Sequence, residues 1–133
     1  MTKKEFLCQY LNVQTEIAAK LDQITSLREL STRITRSLSP NKVKSSSDNQ
    51  LEATVSKIVD MEKEIGASID KLDQARRQVE SAIDSMPNPV QRNVLRLRYL
   101  NGKNLEQVAE EMNYTYRNVC YLHGKALDQM TIS

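Results

Sequence analysis

From Leu51 to Met86 the apolar residues recur at steps of three and four, through Leu51, Val55, Ile58, Ile65, Ile69, Leu72, Val79, Ile83 and Met86, with Glu62 and Arg76 as the polar members of the series. A repeat this regular draws one narrow stripe along a helix, and a second helix laid alongside is what covers such a stripe. A strand would need period two, which this segment lacks. An earlier segment supplies the partner: Phe6, Tyr10, Val13, Ile17, Leu21, Ile24, Leu27, Ile34 and Leu38 also recur at helical spacing. Between the two lies a run of turn-forming residues around Pro40, and the bend is expected near residues 39–47. Aromatic residues make up only 5% of the chain and Trp is absent, so the core is expected to be thin and spread along helices. The expected fold is all-α, with no sheet.

Folding back at that bend sets positions whose numbers add to about 89 side by side, so that Leu38 meets Leu51, Ile34 meets Val55 and Ile24 meets Ile65. In this antiparallel register Arg28 falls beside Glu62 and Glu16 beside Arg76. A parallel homodimer through the same stripe would set Glu62 against Glu62 and Arg76 against Arg76, an arrangement that like-charge repulsion disfavours. An antiparallel two-helix coiled-coil hairpin is therefore the expected architecture of residues 1–86.

Pro87-Asn88-Pro89 ends the long helix, because proline cannot donate to the helical ladder and restricts the residue before it. Asn88 suits an N-cap and Pro89 a first helical position, which opens a helix through Tyr99 with Val94, Leu95 and Leu97 on its buried side. Asn101-Gly102-Lys103 marks a turn. Asn104 followed three residues later by Gln107 is a capping-box signature for a short helix from Leu105 to Met112, whose apolar face is Leu105, Val108, Ala109 and Met112. Thr115 is placed to cap a last helix that buries Val119, Leu122, Ala126 and Met130. Residues 87–133 thus read as a three-helix unit containing a helix-turn-helix.

The run from Pro89 to Met130 resembles region 4 of bacterial sigma factors in Val94-Leu95-Arg96-Leu97-Arg98-Tyr99, in Leu105-Glu106-Gln107-Val108-Ala109-Glu110-Glu111-Met112, in Thr115-Tyr116-Arg117-Asn118-Val119 and in Lys125-Ala126-Leu127. Residues 57–65, 114–117 and 122–127 extend the likeness. With them the whole chain is similar to small phage- and prophage-encoded proteins of Gram-positive bacteria that join a long helical hairpin to such a module. The resemblance implies a transcription regulator that binds double-stranded DNA. A helix-turn-helix lays its second helix in the major groove, so the exposed residues at the start of that helix reach base edges. Here these are Thr115, Tyr116, Arg117, Asn118 and Tyr121. Arg117 suits a bidentate contact to guanine and Asn118 to adenine, each discriminating by roughly 1–3 kcal/mol. Lys125, Lys103 and Arg92 are candidates for phosphate contacts, as is the helix start at Asn104 and Leu105. Tyr116, Cys120 and Tyr121 depart from the Arg and Gln that sigma factors usually carry there, which removes the basis for expecting promoter −35 specificity.

Plainer readings stand beside these. Tyr116 and Tyr121 could be half-buried caps, Arg98 an ion-pair partner of Glu110 or Glu111, Cys120 a small residue beside the core, and His123 a surface or helix-end residue. Gly124, inside a helix at a cost of about 1 kcal/mol relative to Ala, suggests close packing against a neighbour. Charge is partitioned: residues 1–44 carry eight basic and four acidic groups (+4), 45–86 five and nine (−4), and 87–133 six and four (+2). These blocks fit either solvated helix faces or a basic end segment that meets an anion such as DNA. Arg28, Arg33, Arg36, Lys42 and Lys44 form a basic run that could be a second DNA contact.

No apolar run approaches the roughly 20 residues that span a bilayer, and Met1-Thr2-Lys3-Lys4-Glu5-Phe6 lacks the apolar stretch of a signal peptide, so a cytoplasmic protein without membrane contact is expected. Cys8 and Cys120 lack metal spacing and read as free thiols. With one histidine and no Gly-rich phosphate loop, catalysis and cofactors are not expected. Two other functions remain open: a protein that binds RNA polymerase or a sigma factor without reading bases, and a small DNA-packaging subunit. Residues 1–86 would serve for homodimerisation or polymerase docking.

Overall fold

The structure, a computed structural model, describes residues 1–37 and 45–131. It is all-helical, and no strand occurs among the described residues. Five helices follow in order: α1 (Lys3–Ser37), α2 (Ser45–Asp84), α3 (Pro89–Tyr99), α4 (Leu105–Met112) and α5 (Tyr116–Gln129). Most of the expected bend at 39–47, and Leu38 with it, lies outside the described residues; Ser45, Ser46 and Ser47 already belong to α2.

Two compact units divide the chain, one of Met1–Gln14 with Lys71–Ser133, the other of Thr15–Asp70. The first turns of α1 and the last turns of α2 share a core with α3 and α5. In that core Leu7, Val79, Ile83, Met86, Leu95, Tyr99, Ala126 and Met130 are buried together, with Phe6, Tyr10 and Ala82 packed against them. A second cluster, Val94, Val108, Ala109 and Val119, holds α3, α4 and α5 to one another. Burying each Val, Leu, Ile or Met side chain in these clusters contributes roughly 1.5–3 kcal/mol.

The Thr15–Asp70 unit is an antiparallel pair. Lys20 of α1 donates to Ser68 at 3.4 Å and reaches Glu64 at 3.9 Å, while Arg28, further along α1, donates to the earlier Glu62 at 2.7 Å. Ile24, Met61 and Ile65 form its buried centre, flanked by Ile17, Leu27 and Ile58. Ile24 beside Ile65 and Arg28 beside Glu62 agree with the expected register. For Glu16 and Arg76, the other expected pair, each pairs on its own helix: Glu16 with Lys20 at 3.2 Å and Arg76 with Glu80 at 3.3 Å.

That difference follows from the phase of the α2 stripe. Thr54, Met61, Ser68 and Ala75 are buried, whereas Val55 and Ile69 are 45% and 52% exposed. Both series alternate threes and fours with Ile58, Ile65, Leu72 and Val79, so spacing alone fits either. The buried series Thr54, Met61, Ser68 and Ala75 carries no charge, whereas the flanking series includes Glu62 and Arg76, whose charges are costly to bury. Glu62 and Arg76 therefore stand beside the seam, on solvent, where an ion pair is worth about 1 kcal/mol at most. On α1, Leu7 is fully buried while Leu21 is 50% exposed, again displacing the stripe read from spacing.

Local signals end and start the last three helices. The Asn88 side chain accepts from the backbone N–H of Val90 at 2.9 Å and Gln91 at 3.2 Å, with Pro89 in the first turn of α3. Asn104 and Gln107 complete a capping box: the Gln107 N–H donates to the Asn104 side chain at 2.8 Å and the Asn104 N–H to the Gln107 side chain at 2.9 Å. After α4 the chain turns through Asn113, at φ 59°, and the Tyr114 N–H closes back on the Ala109 carbonyl at 2.9 Å. An αL residue lets the chain reverse in so few residues, and Asn accepts that conformation more readily than most. Thr115 then caps α5, its hydroxyl accepting from the Asn118 N–H at 3.1 Å.

One polar contact crosses the main core. The Tyr99 hydroxyl lies 2.6 Å from His123 Nε2, and the two rings stack with centroids 5.6 Å apart. Burial holds the Tyr99 phenol above its ordinary range, so the hydroxyl keeps its proton, and the His123 tautomer sets which of the two groups donates. Burial first, then the charges of Lys4 and Arg98, hold the His123 imidazole below its ordinary value of 6.5. His123 is thus a half-buried link from α5 to α3, not a free surface residue.

Two outcomes are expected. Leu7→Ala should cost about 2–5 kcal/mol in chemical denaturation followed by circular dichroism, whereas Leu21→Ala should cost within about 0.5 kcal/mol. An equal cost for both would place the core elsewhere. The unfolded chain takes up a proton at His123 near pH 6.5 and the folded chain only at lower pH, so the stability tied to this residue is complete above that value and declines as pH falls below it. Thermal melts between pH 7.5 and 5.5 should show that decline in the wild type and a flatter profile in His123→Gln; parallel profiles would contradict it.

Candidate nucleic-acid interface

The helix-turn-helix is α4, the Asn113–Thr115 turn and α5. Val108, Ala109 and Val119 pack inward, and this fixes which side of α5 faces out. On a helix with 3.6 residues per turn, Arg117, Asn118, Tyr121 and Lys125 fall within about 100° of arc, opposite Val119 and Ala126. All four are exposed. Among the described residues the Arg117 and Asn118 side chains have no ion pair or hydrogen bond, so their donors and acceptors remain for a ligand. Tyr121 is 61% exposed, and the Lys125 ammonium stands 5.8 Å over its ring, joining the two into one amphipathic patch.

Tyr116, 53% exposed, opens α5 on an adjoining side. A contact with the Cys120 thiol raises its phenol above the ordinary range. Neither Tyr116 nor Tyr121 is a half-buried cap. Thr115 is exposed, but its hydroxyl already caps α5, and Asn104 does the same for α4. Both hold helix ends in place rather than presenting free side chains.

The expected phosphate contacts divide by their partners. Lys125 is free of ion pairs among the described residues. Lys103 forms an ion pair with Glu111, which offsets its charge. Arg92 donates to the Met86 carbonyl at 2.6 Å, bracing the α2–α3 junction at the opposite end of α3 from Arg98. Arg98 pairs with neither Glu110 nor Glu111. Its guanidinium lies 5.3 Å over the Tyr99 ring and near the Lys103 carbonyl, at 3.5 Å. Gly124 meets no neighbour: a Cβ there would have nothing within 4 Å, because the residue lies on the outer face of α5. Of the other basic run, Arg28 pairs with Glu62, Arg33 and Arg36 are exposed, and Lys42 and Lys44 lie outside the described residues.

Spacing did not bring Lys4 into view. It lines a cleft together with Arg98, Asn104, Leu105, Glu106, Tyr116 and His123. Its position depends on packing between the two ends of the chain, which no local pattern reveals. The Tyr99–His123 pair, separated by 24 residues, depends on how α3 and α5 pack and was likewise beyond any local pattern.

No helix among the described residues is long and apolar enough to cross a membrane. Neither a curated relative nor a solved structure matches the chain. A comparison with known families matches residues 82–130 to Sigma-70, region 4, a DNA-binding helix-turn-helix domain, and the three caps and the packed α4–α5 pair accord with it.

Proposed function

We propose that this chain is a sequence-specific DNA-binding transcription regulator, of phage or prophage genes, in which α5 enters the major groove. The observation that carries the reading is the pair Arg117 and Asn118. They stand exposed at the amino end of α5, without intramolecular partners, inside the region matched to Sigma-70, region 4. Arg117 takes guanine and Asn118 adenine; Tyr116 and Tyr121 add contact area, and Lys125 a phosphate contact. Asn104 and Thr115 act indirectly, fixing the helix starts whose remaining N–H groups, at Leu105 and Tyr116, meet the sugar-phosphate backbone. The role is non-catalytic. Residues 1–86 supply the surface for homodimerisation or for docking RNA polymerase, and residues 87–133 the DNA-reading part.

One observation favours a second reading, in which the module binds polymerase or a sigma factor and reads no bases. The exposed α4 residues Glu106, Glu110 and Glu111 are acidic, and Lys103 and Arg92 are already engaged within the chain. Fewer free cations weaken the nonspecific part of DNA affinity.

Replacing Arg117 and Asn118 together by Ala separates the two. On a duplex selected for tight binding, the double variant should lose roughly 30-fold or more in affinity, from two contacts of about 1–3 kcal/mol each. Its circular dichroism melt should match the wild type, since neither side chain supports the fold. Unchanged affinity would remove base readout by α5 and favour the polymerase reading.

A further inference from the structure

We propose that Lys4, at the start of α1, contacts a backbone phosphate of the duplex that α5 reads, so that the first turn of the chain is part of the nucleic-acid interface. The inference rests on the DNA-reading function and adds to it a contact from outside the helix-turn-helix.

Four observations carry it. Lys4 is exposed and has no ion pair among the described residues, unlike Lys3, which donates to the Asp128 carbonyl at 3.1 Å. Lys4 shares its cleft with Arg98 and with Asn104 and Tyr116, at the amino ends of α4 and α5. Two cations and two helix amino ends therefore face one space against a single carboxylate, Glu106, while His123 stays neutral there. The proton affinity of His123 is lowered first by burial and then by Lys4 and Arg98, which places both cations close to the same cleft.

Lys4 is also held in place. Thr2 and Glu5 cap α1 reciprocally, each backbone N–H donating to the other's side chain at 3.1 Å. One turn later Leu7 is fully buried among Val79, Ile83, Leu95 and Tyr99. The ammonium is thus carried on an ordered backbone beside the start of the helix that meets the groove. A duplex seated on Tyr116 and Arg117 brings its sugar-phosphate chain past this cleft, where Lys4 supplies a point charge without sequence preference.

The test uses the full chain and its salt dependence on a selected duplex and on a scrambled one. Neutralising one phosphate contact removes about one counterion from the binding equilibrium. Lys4→Gln should weaken binding to both duplexes by the same factor, about fivefold to tenfold near 0.1 M salt, and reduce the slope of log affinity against log salt by about one. Lys4→Arg should restore the slope, and Lys3→Gln should leave it unchanged. A wild-type slope in Lys4→Gln, with the wild type binding its selected duplex normally, would overturn the Lys4 contact and leave base reading intact. A wild type that binds no duplex would overturn both.

Discussion

The burial of Leu7 against Val79, Ile83, Leu95 and Tyr99 is the contact on which the rest of this structure depends. It closes the first turns of the chain onto the last, and α3, with α5 beside it, acquires a floor that three short helices could not provide alone. Helices of 11, 8 and 14 residues are too short to be stable in water by themselves, so their persistence comes from packing. Met86, Ala126 and Met130 extend that floor, and Tyr99 with His123 ties α5 to it by a directed hydrogen bond. The orientation of α5, and with it the direction in which Arg117 and Asn118 point, is a consequence of this core.

What the amino-acid sequence revealed, and what it concealed, divides by the range of the interaction. Asn88 with Pro89, Asn104 with Gln107, and Thr115 with Asn118 act across three residues or fewer, so the starts of α3, α4 and α5 were legible from their neighbours. The antiparallel pairing of Arg28 with Glu62 was legible too, since a turn-rich break between two stripes leaves few registers. The phase of the α2 seam was not. Val55 and Ile69 are the larger apolar residues, yet they share their series with Glu62 and Arg76, and the uncharged Thr54, Met61, Ser68 and Ala75 are buried instead. Leu7 stood one position away from the stripe read on Phe6 and Tyr10, and the cleft holding Lys4 depends on contacts across nearly the whole chain.

Among the residues expected to contact DNA in 87–133, two groups emerge. Asn104, Thr115, Arg92 and Lys103 spend their hydrogen-bonding capacity inside the chain, as caps, a brace or an ion pair. Arg117, Asn118, Tyr121 and Lys125 stand outside on one arc of α5. A residue type that suits DNA is thus not enough to mark a DNA contact; what remains unspent after folding marks it better. By that criterion Lys4 belongs with the second group although it lies more than a hundred residues away in the chain.

The claim that the two chain ends build one cooperative unit is most directly tested by removing one of them. A fragment comprising residues 87–133 exposes Leu95, Tyr99, Ala126 and Met130, which Leu7, Val79 and Ile83 cover in the full chain. Its thermal unfolding, followed by circular dichroism beside that of the full chain, should show weak helicity and a broad, low-temperature transition. A sharp transition at the temperature of the full chain would contradict the account and make residues 87–133 a domain independent of the first turns of α1.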